Sequence, residues 1–457
     1  MASRAFHRTM RHCLLWLSCL LPASVLLAAD ARPSQYKGWK SLSLSNDLIE
    51  VQVVPDIGRV IQVRLGDFEY LWVNPQLAGK VPSPTGLAPD GGWLNYGGDK
   101  LWPAPQGWDN DRQWPGPPDA VLDGSPHKGR IVAEKDSGLS TVELTSRPDP
   151  RTGIQFERQI HVRDGIAGVS FDSKMTNIDS KPRRWSIWQV TQLNATNRSG
   201  AGFNPEMRCY SPANPGSIFP RGYLEMFGLI NNPSFKLDRG AGLVTGHYQR
   251  LVGKIGIDNS AGWIATVDGT AGYVFVERFD YQPGKKYPDD TSAQFWMNGA
   301  GQIVCGSKIV DCKDDPVETP HLIENEVLGP LTELKPAESC SFHLDWHLAK
   351  IGGAYPILDC SPLGVACEPF VARRTDGKLH LSGRFGAFLP GKLSIALLDS
   401  SGKQIAAAPS DLTVSPTSPL VLSLDVNAPL ETNTVSLLLV NTRGGTPGEL
   451  ARTIVRK

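Results

Sequence analysis

The chain has 457 residues, with 46 basic and 46 acidic side chains, 40% hydrophobic residues, eight cysteines and twelve tryptophans, which is the composition of a folded globular protein. The balanced charge argues against a nucleic acid or an anionic membrane surface as partner, because both are held by an excess of Lys and Arg. Beyond residue 31 no stretch approaches the ~20 apolar residues that a spanning helix needs.

The chain opens on a targeting segment. Arg4, Arg8 and Arg11 precede an apolar run from Cys13 to Leu27, and Ala29-Asp30-Ala31 reads as a cleavage site, with a cut after Ala29 as the alternative. Residues 1–31 are expected to be a secretory signal peptide, so the protein is expected to be periplasmic or extracellular. Losing them removes three Arg and one Asp and takes the net charge from 0 to −2. Six cysteines remain, and an even number in an exported chain suggests disulfides. Cys305/Cys312 and Cys360/Cys367 share one spacing and could each close a small loop, which leaves Cys209–Cys340 as a long-range bridge. With no C-x-x-C, these cysteines read as structural.

From residue 49 onward the hydrophobic period is two. Ile49 to Val53, Val60 to Leu65 and Phe68 to Val73 alternate. The stretch Gly91–Pro126 then breaks the pattern. Trp93, Trp102, Trp108 and Trp114 stand there among Asp99, Lys100, Gln106, Asp109, Asp111, Arg112 and Asp123. Flat indole faces beside hydrogen-bonding groups suit a sugar ring. The plainer reading is a loop whose tryptophans plug the end of a β-sandwich. Alternation resumes at Ile154 to Val162, Ile166 to Met175 and Trp185 to Val190. It continues at Trp263 to Val267, Tyr273 to Arg278, Ala293 to Met297 and Ser341 to His347, with Gly, Asp, Asn and Pro between. No helix of ordinary length is expected, and the fold class is all-β.

Glu324 and Glu326, two apart on a predicted strand, share a face with Leu322 and Leu328. Such carboxylates are expected to be partly desolvated, which raises a carboxyl pKa and suits acid–base work. His343, Asp345 and His347 also share a face. A polar strand face produces that pattern by default, as a plain turn produces Asp289-Asp290, and neither a metal nor a cofactor is expected. Near Gly352 the character changes. The roughly 90 residues after Cys367 alternate in short strands without Trp or Tyr, as a small β-sandwich does. The expected division is a signal peptide at 1–31, a large domain at 32–350 and an Ig-like C-terminal β-sandwich at 351–457, the last a spacer or docking module. No motif for a serine hydrolase, a phosphate loop or a dinucleotide is present.

Several segments carry a family resemblance. Val54-Pro55-Asp56-Ile57-Gly58-Arg59-Val60 followed by Phe68-Glu69-Tyr70-Leu71-Trp72 resembles the opening of galactose-mutarotase-like (aldose 1-epimerase-like) proteins, with one Gly before Arg59 where those have two. Asn95 to Gln106, Gly272 to Phe279 with Tyr287-Pro288, and Glu324 to Leu331 resemble an uncharacterised branch of the same superfamily. The resemblance covers about residues 40 to 350. It implies a large antiparallel β-supersandwich that binds carbohydrate in a shallow cleft. The H-P-Y-F histidine of the epimerases has no counterpart in the strand Trp188 to Gln192, so sugar recognition is implied more firmly than aldose epimerisation. The candidates are Glu324 and Glu326 as catalytic base, with Asp99, Lys100, Trp102, Gln106, Trp108 and Arg59 binding a mono- or oligosaccharide. The rival reading is a non-catalytic glycan-binding or structural envelope protein.

Overall fold

The computed structural model describes residues 28–80, 83–134, 138–200, 202–305, 308–408 and 410–456, so all but the last four residues of the expected signal peptide at 1–31 lie outside the described residues. The architecture is all-β, and the only helical turns among the described residues are Pro55–Ile57 and Pro288–Asp290. Two sheets form the larger body. A twelve-stranded sheet runs from Asp30–Tyr36 through Trp39–Ser45, Ile49–Val54, Arg59–Leu65, Asp99–Ala104, Arg183–Asn194, Leu322–Leu328, Ala293–Met297 and Gly253–Ile257 to Leu224–Gly228. A ten-stranded sheet has Tyr273–Phe279, Ser339–Lys350 and Gly168–Asn177 near its middle. Their facing sides bury one large core, with Val51, Val63, Leu193, Ile323 and Val327 from the first sheet against Ile160, Phe171, Phe275, Leu344 and Trp346 from the second. Alternation follows from the pleat, because successive side chains point to opposite faces.

Two segments differ from the periodicity reading. The Phe68–Val73 run pairs as a strand only over Phe68–Glu69 and continues through isolated bridges at Leu71 and Val73. Conversely, Asp99–Ala104 is not loop but a fully buried strand. It lies between Arg59–Leu65 and Arg183–Asn194, yet it meets the former at one pair only, Val60 with Asp99. Pro103, which has no N–H to give, is therefore tolerated on the side that lacks a partner.

Residues 359–456 build a separate nine-stranded sheet that folds on itself as a sandwich. Its two halves join through a short parallel contact, Ala372 with Val455 and Arg373 with Arg456. Leu379, Leu381, Phe385 and Leu422 of one half pack on Leu393, Ile395, Val435 and Leu437 of the other. A third apolar cluster joins this sandwich to the outer face of the ten-stranded sheet. Tyr210, Trp263, Val274, Val276 and Ala349 meet Ile357, Val365, Cys367 and Phe388 there.

The expected disulfides do not form among the described residues, where Cys209, Cys312, Cys340, Cys360 and Cys367 are free thiols. Strand register explains it. Cys305 pairs with Lys308 beside its turn while Cys312 pairs with Gly301 at the other end of the hairpin. Cys360 faces Val365, so Cys367 sits on the diagonal, roughly 7–8 Å away, beyond the usual Cα separation of a disulfide. Cys209 aligns through Thr266 and Phe275 with Leu348, three strands across and far along the strand from Cys340.

Candidate functional site

Five strands of the larger sheet carry two cross-strand rows on the face turned away from the core. Register puts Lys100, Val190, Glu326, Gln294 and Gly256 side by side, and Gln192, Glu324, Trp296 and Lys254 in the next row. The rows interlock by charge. Lys254 Nζ donates to Glu326 Oε2 at 2.7 Å, and Trp188 Nε1 donates to the same oxygen at 2.9 Å. Gln192 Nε2 donates to Glu324 Oε1 at 2.6 Å, and Lys100 Nζ lies 3.6 Å from that oxygen. Lys100 also sits 4.7 Å from the centre of the Trp102 ring and Lys254 4.5 Å from that of Trp188, so each ammonium has both a carboxylate and an indole face. Burial pushes the Glu326 carboxyl up to about 7, with Lys254 opposing the shift and Glu324 adding to it. Burial likewise lowers the Lys100 ammonium, against the pull of Glu324.

The tryptophan-rich segment folds over this face and is pinned there by one buried ion pair. Arg59 meets Asp123 at 2.6 Å with both side chains almost fully buried. The same carboxylate accepts from Trp102 Nε1 at 3.0 Å and Trp93 Nε1 at 2.7 Å. Trp102 then packs 5.3 Å from Trp188 and 5.0 Å from Trp114, which itself donates to Asp119.

Between the segment and the sheet lies a chamber of about 560 Å³ walled by Trp72, Trp93, Trp102, Trp188 and Trp296, with Gln106, Gln192, Lys254 and Glu324 exposing polar groups to it. Apolar walls with a few converging polar groups are the usual form of a ligand site. Lys100 and Glu326 lie beneath that surface, nearly inaccessible.

The structure thus gathers Glu324, Trp102 and Gln106 at one chamber, with Lys100 and Glu326 directly behind. Arg59 stands further back and holds the tryptophans in place. Asp99 is elsewhere: it faces the core, where it meets Arg158 at 2.5 Å and accepts from Thr191 at 3.1 Å. Adjacent residues of a strand cannot share a face, so Lys100 on the chamber side sends Asp99 inward. Trp108 is 52% exposed and does not line the chamber; it sits edge-on to Phe227 at 6.4 Å. His343, Asp345 and His347 lie on the other sheet. His343 bonds Asp172, His347 stacks on Phe388, and no metal-holding group occurs among the described residues.

Lys254, Trp296 and Trp72 were not singled out as site residues by the sequence pattern. Lys254 sits in the short strand Gly-Lys-Ile-Gly-Ile, and only the sheet order brings it beside Glu326.

Among solved structures, the chain is similar to a TPR-domain containing protein from Parabacteroides distasonis, at 14% identity and a TM-score of 0.44, covering 74% of this chain and 56% of that one. It is also similar to galactose mutarotase-like proteins from Clostridium acetobutylicum (12% identity, TM-score 0.42, 71% of this chain and 99% of that one) and Lactobacillus casei (10%, 0.42, 67% and 99%). A family described as Domain of unknown function (DUF4380) matches residues 39–349, and the chain belongs to that family.

Proposed function

We propose that this protein binds a carbohydrate in the tryptophan-walled chamber and that Glu324 and Lys254 act on it as base and acid. The observation that carries the reading is the chamber itself: five indoles around the Glu324 carboxylate and the Lys254 ammonium, which stand on the strands either side of Ala293–Met297. Indole faces cover the apolar faces of a sugar ring, while the carboxylate and ammonium meet its hydroxyls. Glu324 would take a proton from a sugar hydroxyl. Lys254, its charge held by Glu326, would give one to the opposite oxygen.

NMR of anomeric interconversion across a panel of free sugars tests the chemistry. The reading expects acceleration on at least one sugar and loss of it in Glu324→Gln. A second reading, a non-catalytic lectin-like site, is favoured by the grip of Gln192 and Lys100 on Glu324. It expects saturable glycan binding that survives Glu324→Gln but fails in Trp102→Ala. Blank glycan binding by both wild type and variants sinks the two together. We propose also that the chain is exported, on the pattern of Arg4, Arg8, Arg11 and the apolar run behind them, which fractionation of expressing cells checks. The sandwich after residue 350 would serve as a spacer or docking module.

A further inference from the structure

Resting on the sugar reading of the chamber, we infer that the site takes an oligosaccharide by its chain end in preference to a free monosaccharide. The chamber does not stop at its own walls. On one side it runs into an annexe of about 300 Å³ through a shared border of Trp72, Asn74, Gln76, Val317 and Pro320. A pyranose with twelve non-hydrogen atoms fills roughly 200 Å³ at liquid-like packing. The chamber therefore exceeds one ring, and the annexe adds room for a further unit.

The opposite end closes down. Beyond Gln106 and Lys254 the space narrows to a slit of about 20 Å³ bordered by Phe227, Asp289 and Gln294. That is room for a water-sized group, such as a hydroxyl on the terminal ring, and not for another sugar.

This closed end is built from two departures from regular structure and one aromatic contact. The edge strand Leu224–Gly228 carries a bulge between Glu225 and Phe227. The consecutive residues Met226 and Phe227 therefore both border the slit, where a regular strand would turn one of them away. Asp289 and Asp290 both adopt left-handed backbone, at φ 52° and 55°, a costly conformation for two adjacent non-glycine residues. Trp108 then packs on Phe227 from the solvent side. The result is a cleft with one open and one closed end. The terminal unit lies over Glu324 with an exocyclic hydroxyl donating to Asp289, and the rest of the chain leaves across Gln76 and Val317.

Calorimetric titration with glucose, galactose and mannose ladders, each from monosaccharide to hexasaccharide, tests this. The expected result is an affinity gain of about tenfold or more between one unit and two or three, and a plateau after that. Pro316→Trp, at an exposed position bordering the annexe and not the chamber, is expected to erase the gain while leaving monosaccharide binding unchanged. Asp289→Asn is expected to weaken every length alike. A monosaccharide bound as tightly as its longer homologues overturns the chain-end inference and leaves the sugar reading intact. If no member of any ladder binds, both fall.

Discussion

On its chamber face the larger sheet sets Glu324 and Glu326 against two lysines, whereas between the sheets Asp99 and Glu277 share a single arginine, Arg158. Both groups are buried, but they solve the cost of burial differently. On the chamber face of the sheet two carboxylates meet two ammonium groups, and Glu324 and Lys254 reach the cavity surface. Between the sheets there is surplus acid. Burial raises the Asp99 carboxyl, which Arg158 opposes, and it drives Glu277 well above the usual range. The inner cluster thus sets two acids against one cation, with burial favouring the protonated form of Glu277, and it bridges the two sheets. The outer cluster keeps its charges where a ligand can meet them.

Arg158→Met strikes the inner cluster and is expected to have the largest effect on stability. It leaves Asp99 buried without its cation, at a cost of about 3–5 kcal/mol in urea unfolding. Glycan affinity per folded molecule should stay as it was. Lys254→Met is expected to cost about 1–2 kcal/mol at neutral pH, because Glu326 can take up a proton in place of its partner. Ligand affinity should drop tenfold or more. A stability loss equal to that of Arg158→Met would erase the distinction between the clusters.

The pH dependence follows from Glu326. Its folded carboxyl titrates at about 7, above its ordinary 4.5. Between those values the folded state keeps a proton that the unfolded chain releases, so this group's contribution to stability is present at the acid end and is lost as pH rises through the window. The slope is at most about 1.4 kcal/mol per pH unit. Glu326→Gln should flatten that part of a stability–pH curve, and an unchanged slope would contradict the assignment. Trp93→Phe, which removes one of the two indole donors to Asp123 and leaves the Arg59 pair intact, is expected to cost about 1 kcal/mol, with a shift in tryptophan emission as readout. Glu324→Gln should cost about 1 kcal/mol, because it takes a carboxylate from the buried Lys100 while Gln192 keeps an acceptor, and it should remove any acid–base activity.

Much of the fold was legible because a period of two survives wherever one strand face is buried. It gave the strands at 154–163, 263–268 and 293–297 and the shared face of Glu324 and Glu326. What failed was reading Gly91–Pro126 as one loop. Its prolines and charges hid the strand Asp99–Ala104, and with it the rule that sends Asp99 and Lys100 to opposite sides. Lys254 was illegible for another reason. Its partner Glu326 lies 72 residues away and reaches it across an intervening strand, a relation set by sheet order and not by local pattern. The cysteine pairs misled because equal spacing in sequence says nothing of hairpin register.

The apolar cluster that joins the C-terminal sandwich to the ten-stranded sheet has a consequence in time. Tyr210, Trp263, Val274 and Val276 are made well before Val365, Cys367 and Phe388, which cover them. At about 5–20 residues per second, a ribosome needs several seconds to span that interval. For those seconds the growing chain presents a bare aromatic and aliphatic patch, so the covering segment ends an aggregation hazard as well as completing a fold. A chain stopped near residue 350 would keep that patch exposed permanently.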